Sequence, residues 1–205
     1  MIAVLGFEPN QFDLDYTALV TAERWLPGYR GWVLAPMRLL THPDYPVVDL
    51  RTGRPVQVTA VHNPTWEHAG FGIGRYAEPM VAPDDTPLIS FRLALVREEV
   101  RVLGQALAWC TTFLNARTTG DQALARHPAV MQVHARLVAE LFVLQSTDMR
   151  EAIATSAGRR MLCHGVQSAG EQLIKLSGGR AMLAGHMVSV ASLLATLNRM
   201  YLEDV

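Results

Sequence analysis

The chain has 205 residues, enough for one substantial core or for a small domain beside a larger one. Half of the residues are hydrophobic, 18% are charged and the formal net charge is −1, an ordinary globular balance without the basic field that nucleic acid or an anionic membrane requires. Cys110 and Cys163 are too few for a disulfide framework and have no metal-ligand spacing, so they read as buried small hydrophobes.

The N-terminal Met1-Ile2-Ala3-Val4-Leu5-Gly6 is apolar, but it has no basic lead and soon meets Glu8 and Pro9, so no signal peptide is expected. A helix over Tyr16 to Arg24 is suggested by Leu14, Ala18, Leu19 and Ala22 on one face. Trp32-Val33-Leu34-Ala35 has the makings of a strand. Val47 to Leu50, a turn at Arg51-Thr52-Gly53-Arg54 and Val56 to Val61 predict a β-hairpin, with Gly53 free to take positive φ. His62-Asn63-Pro64-Thr65-Trp66-Glu67-His68 gathers two histidines and a glutamate without helical His-Glu-x-x-His spacing, which favours structural histidines over metal ligands. Gly70-Phe71-Gly72-Ile73-Gly74 lacks strand-to-helix context and is expected to be a flexible connector. Residues 1–89 thus form a small β-rich or irregular segment.

Residues 90–205 are patterned differently. Val96, Val100, Leu103, Leu107, Cys110 and Leu114 recur at alternating four- and three-residue steps. So do Val130, Val133, Leu137, Leu141 and Leu144, then Leu162, Val166, Ala169, Leu173 and Leu176, then Leu183, Met187, Val190, Leu194, Leu197 and Tyr201. Each set makes one apolar helical stripe that must be buried against neighbours. Thr118-Thr119-Gly120-Asp121 stops the first helix, and Pro128 suits the first turn of the second. Ser156-Ala157-Gly158 marks a break or kink before the third, and Ser177-Gly178-Gly179 ends it with a glycine for the left-handed C′ position. The last apolar run, Val188 to Leu197, is too short and too interrupted by serine to cross a bilayer. Four such stripes predict a mainly α protein: an antiparallel four-helix bundle over 90–205, preceded by a small β-containing segment, and cytoplasmic.

Arg117-Thr118-Thr119-Gly120 followed by His127-Pro128-Ala129-Val130-Met131-Gln132 resembles the helix–loop–helix of the acyl-CoA dehydrogenase C-terminal domain. Gln172-Leu173-Ile174-Lys175-Leu176-Ser177-Gly178-Gly179-Arg180 is similar to that family's Gln-Leu…Gly-Gly segment. Met200-Tyr201-Leu202-Glu203-Asp204-Val205 resembles its terminal Tyr-Arg-Asp-Ala-Arg, and Pro79 to Asp85 sits where its middle β-domain ends. The resemblance covers somewhat over half of the chain and rests on the order of four motifs, none specific alone. It implies a homodimer or larger oligomer with FAD between subunits. Arg117 would contact the FAD pyrophosphate, Gln132 would be a polar partner nearby, and Gly178 and Gly179 would let the backbone approach the adenine end. Plainer roles are a solvated arginine and a glycine helix cap.

The chain departs from that pattern. Fewer than ninety residues precede the bundle, and neither flavin-binding loop of the family's β-domain is recognisable in them. Thr119 stands where the family has phenylalanine beside the glycine, and the chain stops before the segment that often carries the catalytic base. The position some relatives use instead falls on Ala94; Glu98, one turn on, is the substitute candidate for the catalytic base. Glu98 and Glu99 could equally be a solvated face paired to Arg97 or Arg101. Two functions follow. One is an acyl-CoA dehydrogenase-like flavoprotein, or a subunit of a heteromeric one, acting on an acyl thioester with a partner supplying the missing flavin loops. The other is a degenerate, non-redox member that binds an acyl or biosynthetic intermediate as a cyclase, accessory or scaffold protein. A homo-oligomer is expected in either case, with Trp25, Trp32 and Trp66 helping to cover its apolar surface.

Overall fold

A computed structural model describes residues 25–64, 67, 70–80, 86–178 and 187–203. The suggested helix at Tyr16 to Arg24 lies outside the described residues. The described chain is mainly helical, with a sheet at its N-terminal side.

Six short strands make that sheet: β1 (Leu26–Tyr29), β2 (Trp32–Pro36), β3 (Val47–Asp49), β4 (Arg54–Val56), β5 (Thr59–Val61) and β6 (Phe71–Arg75). Their order is β4-β3-β1-β2-β6-β5, with β1 and β3 parallel and every other neighbouring pair antiparallel. A single helical turn, α1 (Met37–Leu40), follows β2. The expected hairpin exists over its first half, where Gly53 takes φ +64° in the turn between β3 and β4. Its second arm ends at Val56, and Thr59–Val61 leaves to pair with β6 instead. The glycine-rich stretch is not a connector. It is β6, bonded on both sides, and Gly74 leaves space that the Val33 and Val58 side chains fill. A strand flanked by two others can require small residues, so the glycines there serve packing rather than mobility.

The turn before β4 is held by Asp49, which is 1% exposed. Its carboxylate accepts hydrogen bonds from the Arg51 and Thr52 backbone N–H groups, the Thr52 hydroxyl and the Tyr76 hydroxyl, the last at 2.6 Å. Burial, followed by this bond to a carboxylate, pushes the Tyr76 hydroxyl far above its ordinary range, so it stays a donor.

The remainder is helical: α2 (Thr86–Ala116), α3 (Pro128–Ser146), α4 (Met149–Ala154), α5 (Ser156–Ser177) and α6 (Met187–Tyr201). The first is longer than its stripe suggested, beginning ten residues before Val96. The expected break near Ser156 falls at two caps: the Asp148 carboxylate accepts from the N–H groups of Arg150 and Glu151, and the Thr155 hydroxyl from that of Gly158. These caps isolate the short α4 between the second and third long helices.

Contact registers give the helix directions. Thr111 meets His134, and Phe113 and Leu114 lie beside Val130 and Val133, so α2 and α3 run antiparallel. Glu140 accepts from Ser168 while Leu144 packs on Gly165, which makes α3 and α5 antiparallel. Arg92 meets Tyr201 and Glu99 meets Asn198, which does the same for α2 and α6. Helix α5 packs on α2, α3 and α6.

Sheet and helices share one apolar core. Tyr201 joins them: its hydroxyl donates to the Pro27 carbonyl at 2.8 Å, its ring meets Phe91 edge-on, and its carbonyl accepts from Arg92 Nε. Trp25 packs against this core, whereas Trp32 is 40% exposed beneath the Arg75 guanidinium. Trp66 lies outside the described residues. Among the described residues no helix is long and apolar enough to cross a membrane.

Candidate functional site

At the C-terminal ends of α2 and α5 the chain makes a small hairpin of β7 (Thr118–Thr119) and β8 (Gln122–Ala123), turning at Gly120 with φ +61°. A 3-10 turn, Leu124–Arg126, leads into α3, where Pro128 occupies the first turn as its sequence position predicts. The Leu124 N–H donates to the Arg117 carbonyl at 2.6 Å, fixing the backbone that carries the Arg117 side chain. The Arg117 guanidinium lies 5.2 Å over the Phe113 ring, which is itself stacked on Trp109 at 5.2 Å.

Between this hairpin and the end of α5 lies a cleft of about 330 Å³. Phe113, Leu114, Leu124, Val130, Val133 and Leu176 make its lining largely apolar, and Arg117, just past the end of α2, and Lys175 of α5 bring two exposed cations to it. Gly178 completes it at φ +57°, with open space where a Cβ would stand. An apolar cavity with two convergent cations suits an anionic group attached to a hydrophobic or aromatic body.

The predicted residues divide around this cleft. Arg117 and Gly178 are brought together in it. Gln132 is exposed on α3 and is not part of the lining. Gly179 lies outside the described residues. Glu98 is 9% exposed and held by Arg101 Nε and Nη2 at 2.6 and 2.5 Å. Helix rise of about 1.5 Å per residue separates it from the cleft by roughly 25 Å along α2. The pairing with Arg101 matches the expected ion pair, but the solvated face does not: Glu98 is buried, and Glu99 is fully buried at 0% exposure.

Glu99 and its partner were not legible as a pair. With its amide nitrogen toward the carboxyl, Asn198 of α6 donates to the two Glu99 oxygens at 3.1 and 3.0 Å. Burial raises the Glu99 pKa well above the ordinary 4.5, against the opposing pull of the Asn198 bond. The available signal was Glu99 sitting in line with Leu95, Val102 and Ala106, a second apolar stripe on α2. Lys175, the only lysine, was also missed as a cleft residue. Its signal was its place three residues before Gly178.

Both cysteines are free and buried. Burial raises the Cys110 thiol, whose sulfur lies 3.3 Å from the Ser177 hydroxyl. Burial, then the Glu99 and Glu203 charges, push Cys163 up to about 12. His62 Nδ1 lies 2.8 Å from Glu67 Oε1, and no group of three or more metal-ligating side chains gathers among the described residues. His68 lies outside them.

No protein-family model matches the sequence, and no curated protein does. Among solved structures, a chain of the crystal structure of the ChsE4-ChsE5 complex from Mycobacterium tuberculosis is similar at 16% identity and a TM-score of 0.44. The match covers 72% of this chain and 45% of that one, so this chain spans less than half of its neighbour's length.

Proposed function

We propose that this chain is an acyl-CoA dehydrogenase-like subunit whose α2–α3–α5 cleft binds the diphosphate end of FAD, within an enzyme acting on an acyl thioester. The four long helices are read as that family's antiparallel bundle, with residues 1–89 as the remnant of its β-domain. The observation that carries the reading is the meeting of Arg117, Lys175 and Gly178 at one apolar cleft. Two of these three are residues that the sequence resemblance implicates in holding the cofactor.

The donor set fits a diphosphate: two cations face its charge, and the absent Cβ at Gly178 leaves room for close backbone approach. The cleft is at the small end of the roughly 300–1,000 Å³ typical of ligand sites, so it holds only part of a dinucleotide. A second chain would enclose the remainder, either another copy or a different subunit carrying the flavin loops. Bound flavin would supply the hydride acceptor. This chain's own candidate for taking the substrate's α-proton is Glu98, which lies roughly 25 Å along α2 from the cleft and would therefore serve a flavin whose diphosphate is held by a second chain.

The visible spectrum of the purified chain, alone and after incubation with FAD, tests the proposal. Flavin bands that persist through gel filtration support it, and Arg117→Ala should weaken FAD binding roughly 10- to 100-fold with helical content unchanged. Unaltered affinity in that variant would overturn the assignment of the cleft. The apolar lining favours a second reading, in which a non-redox relative holds an acyl or biosynthetic intermediate as a cyclase, accessory or scaffold protein. A chain that stays colourless with FAD and with co-purified partners, yet binds a fatty acyl thioester, would establish that reading.

A further inference from the structure

The chain has 18 lysine and arginine residues, and Lys175 is the one lysine among them. It stands exposed in the last turn of α5 and lines the apolar cleft together with Arg117. A cation near a helix C-terminus steadies the helix, and a cation in a cleft attracts an anion. An arginine does both as well, and grips an anion with more donors. What lysine adds is a primary amine, which can act as a nucleophile. No carboxylate holds this amine: the cleft lining has no acidic residue, and among the described residues Lys175 makes no ion pair. The surface that shares the cleft with it is apolar, made by Leu114, Val130, Val133 and Leu176.

We propose that Lys175 is an acyl acceptor: an acyl thioester whose chain lies on the apolar lining transfers its acyl group to the Lys175 amine. The inference rests on the reading, common to both functions above, that an acyl thioester is a ligand of this chain. The neutral amine adds its lone pair to the thioester carbonyl carbon, and the carbonyl oxygen takes up the negative charge. Arg117, the second cation of the lining, offsets that charge. The carbon–sulfur bond then breaks, the leaving thiolate takes the proton that the nitrogen gives up, and an amide remains. No oxidant or further reactant is needed. The product has one cation where the cleft had two, and an acyl chain on its lining, which makes the amide a block to any anionic ligand of the cleft.

Mass spectrometry of the full chain and its peptides after incubation with octanoyl-CoA tests the proposal. Binding of the octanoyl-CoA thioether, which cannot transfer its acyl group, is measured separately by calorimetry. An octanoyl amide at Lys175 is expected, formed at a rate that saturates with octanoyl-CoA and exceeds that of the urea-unfolded chain on the order of 10-fold or more. Lys175→Arg should abolish the adduct while the thioether still binds. Arg117→Ala should slow the saturated rate roughly 10-fold. Equal rates in the folded and unfolded chains, or a rate that stays linear where the thioether saturates, overturn the proposal, because the adduct is then the bare chemistry of an exposed amine. A thioether that binds without any transfer from octanoyl-CoA also overturns it, and leaves the thioester reading standing. A thioether that does not bind removes both.

Discussion

Replacing Glu99 by glutamine should remove a pH dependence from the stability of the whole molecule. Glu99 is inaccessible to water, and burial holds its pKa well above 4.5, outweighing the Asn198 bond that favours the charged form. The folded state therefore keeps the proton at pH values where the unfolded chain has released it. The stabilisation from keeping it is complete below about pH 4.5 and is lost as pH rises toward the folded pKa, at about 1.4 kcal/mol per pH unit. For a chain of 205 residues that slope corresponds to a fall in Tm of roughly 3–6 °C per pH unit. Glutamine keeps the shape and can exchange a hydrogen bond with Asn198 without a titrating proton. Thermal melts of both chains from pH 5 to pH 8 should start close together and diverge, the variant becoming the more stable. Parallel curves, or a variant that loses stability throughout, would show that Glu99 is ionised in the fold and would refute the reasoning.

Asp49→Ala deprives four donors of their acceptor, one of them the buried Tyr76 hydroxyl, and should cost about 3 kcal/mol in urea unfolding; a loss under about 1 kcal/mol would contradict its role in the turn. Asp148→Ala removes the cap of α4 and should cost about 1 kcal/mol in the same measurement, with Asp148→Asn largely restoring it. At Gly178, φ +57° with ψ −145° is a conformation that side chains rarely adopt, so Gly178→Ala should cost about 1–3 kcal/mol although its Cβ meets no neighbour. A neutral result there would mean that the end of α5 relaxes without penalty.

The helices were legible because their stripes are unbroken and their ends carry chemical punctuation. Pro128 and Gly178 stand where a first-turn proline and a C-terminal glycine belong. Asp148 and Thr155 carry the same kind of signal as helix caps, but the apolar run on either side obscured the short α4 they enclose. The sheet was harder to foresee because pairing partners are distant in sequence. Thr59–Val61 reads as a continuation of the hairpin, yet it pairs with β6, and nothing local in those three residues specifies that choice. In the cleft, Arg117 and Gly178 could be suspected from motif order alone. The approach of Lys175 to Arg117 depends on how α5 lies against α2, which no short stretch encodes. Glu99 was obscured because its stripe runs beside a stronger one, and α2 is buried on more than one side.

The lysine at the cleft has one more consequence. Lys175 carries the only primary amine among the chain's side chains, and it is exposed. An amine-directed dye, cross-linker or acyl donor would thus find a single side-chain address on the protein, beside the candidate ligand site. A molecule that fills the cleft would shield that address, so the rate of labelling reports occupancy without any need to know the ligand.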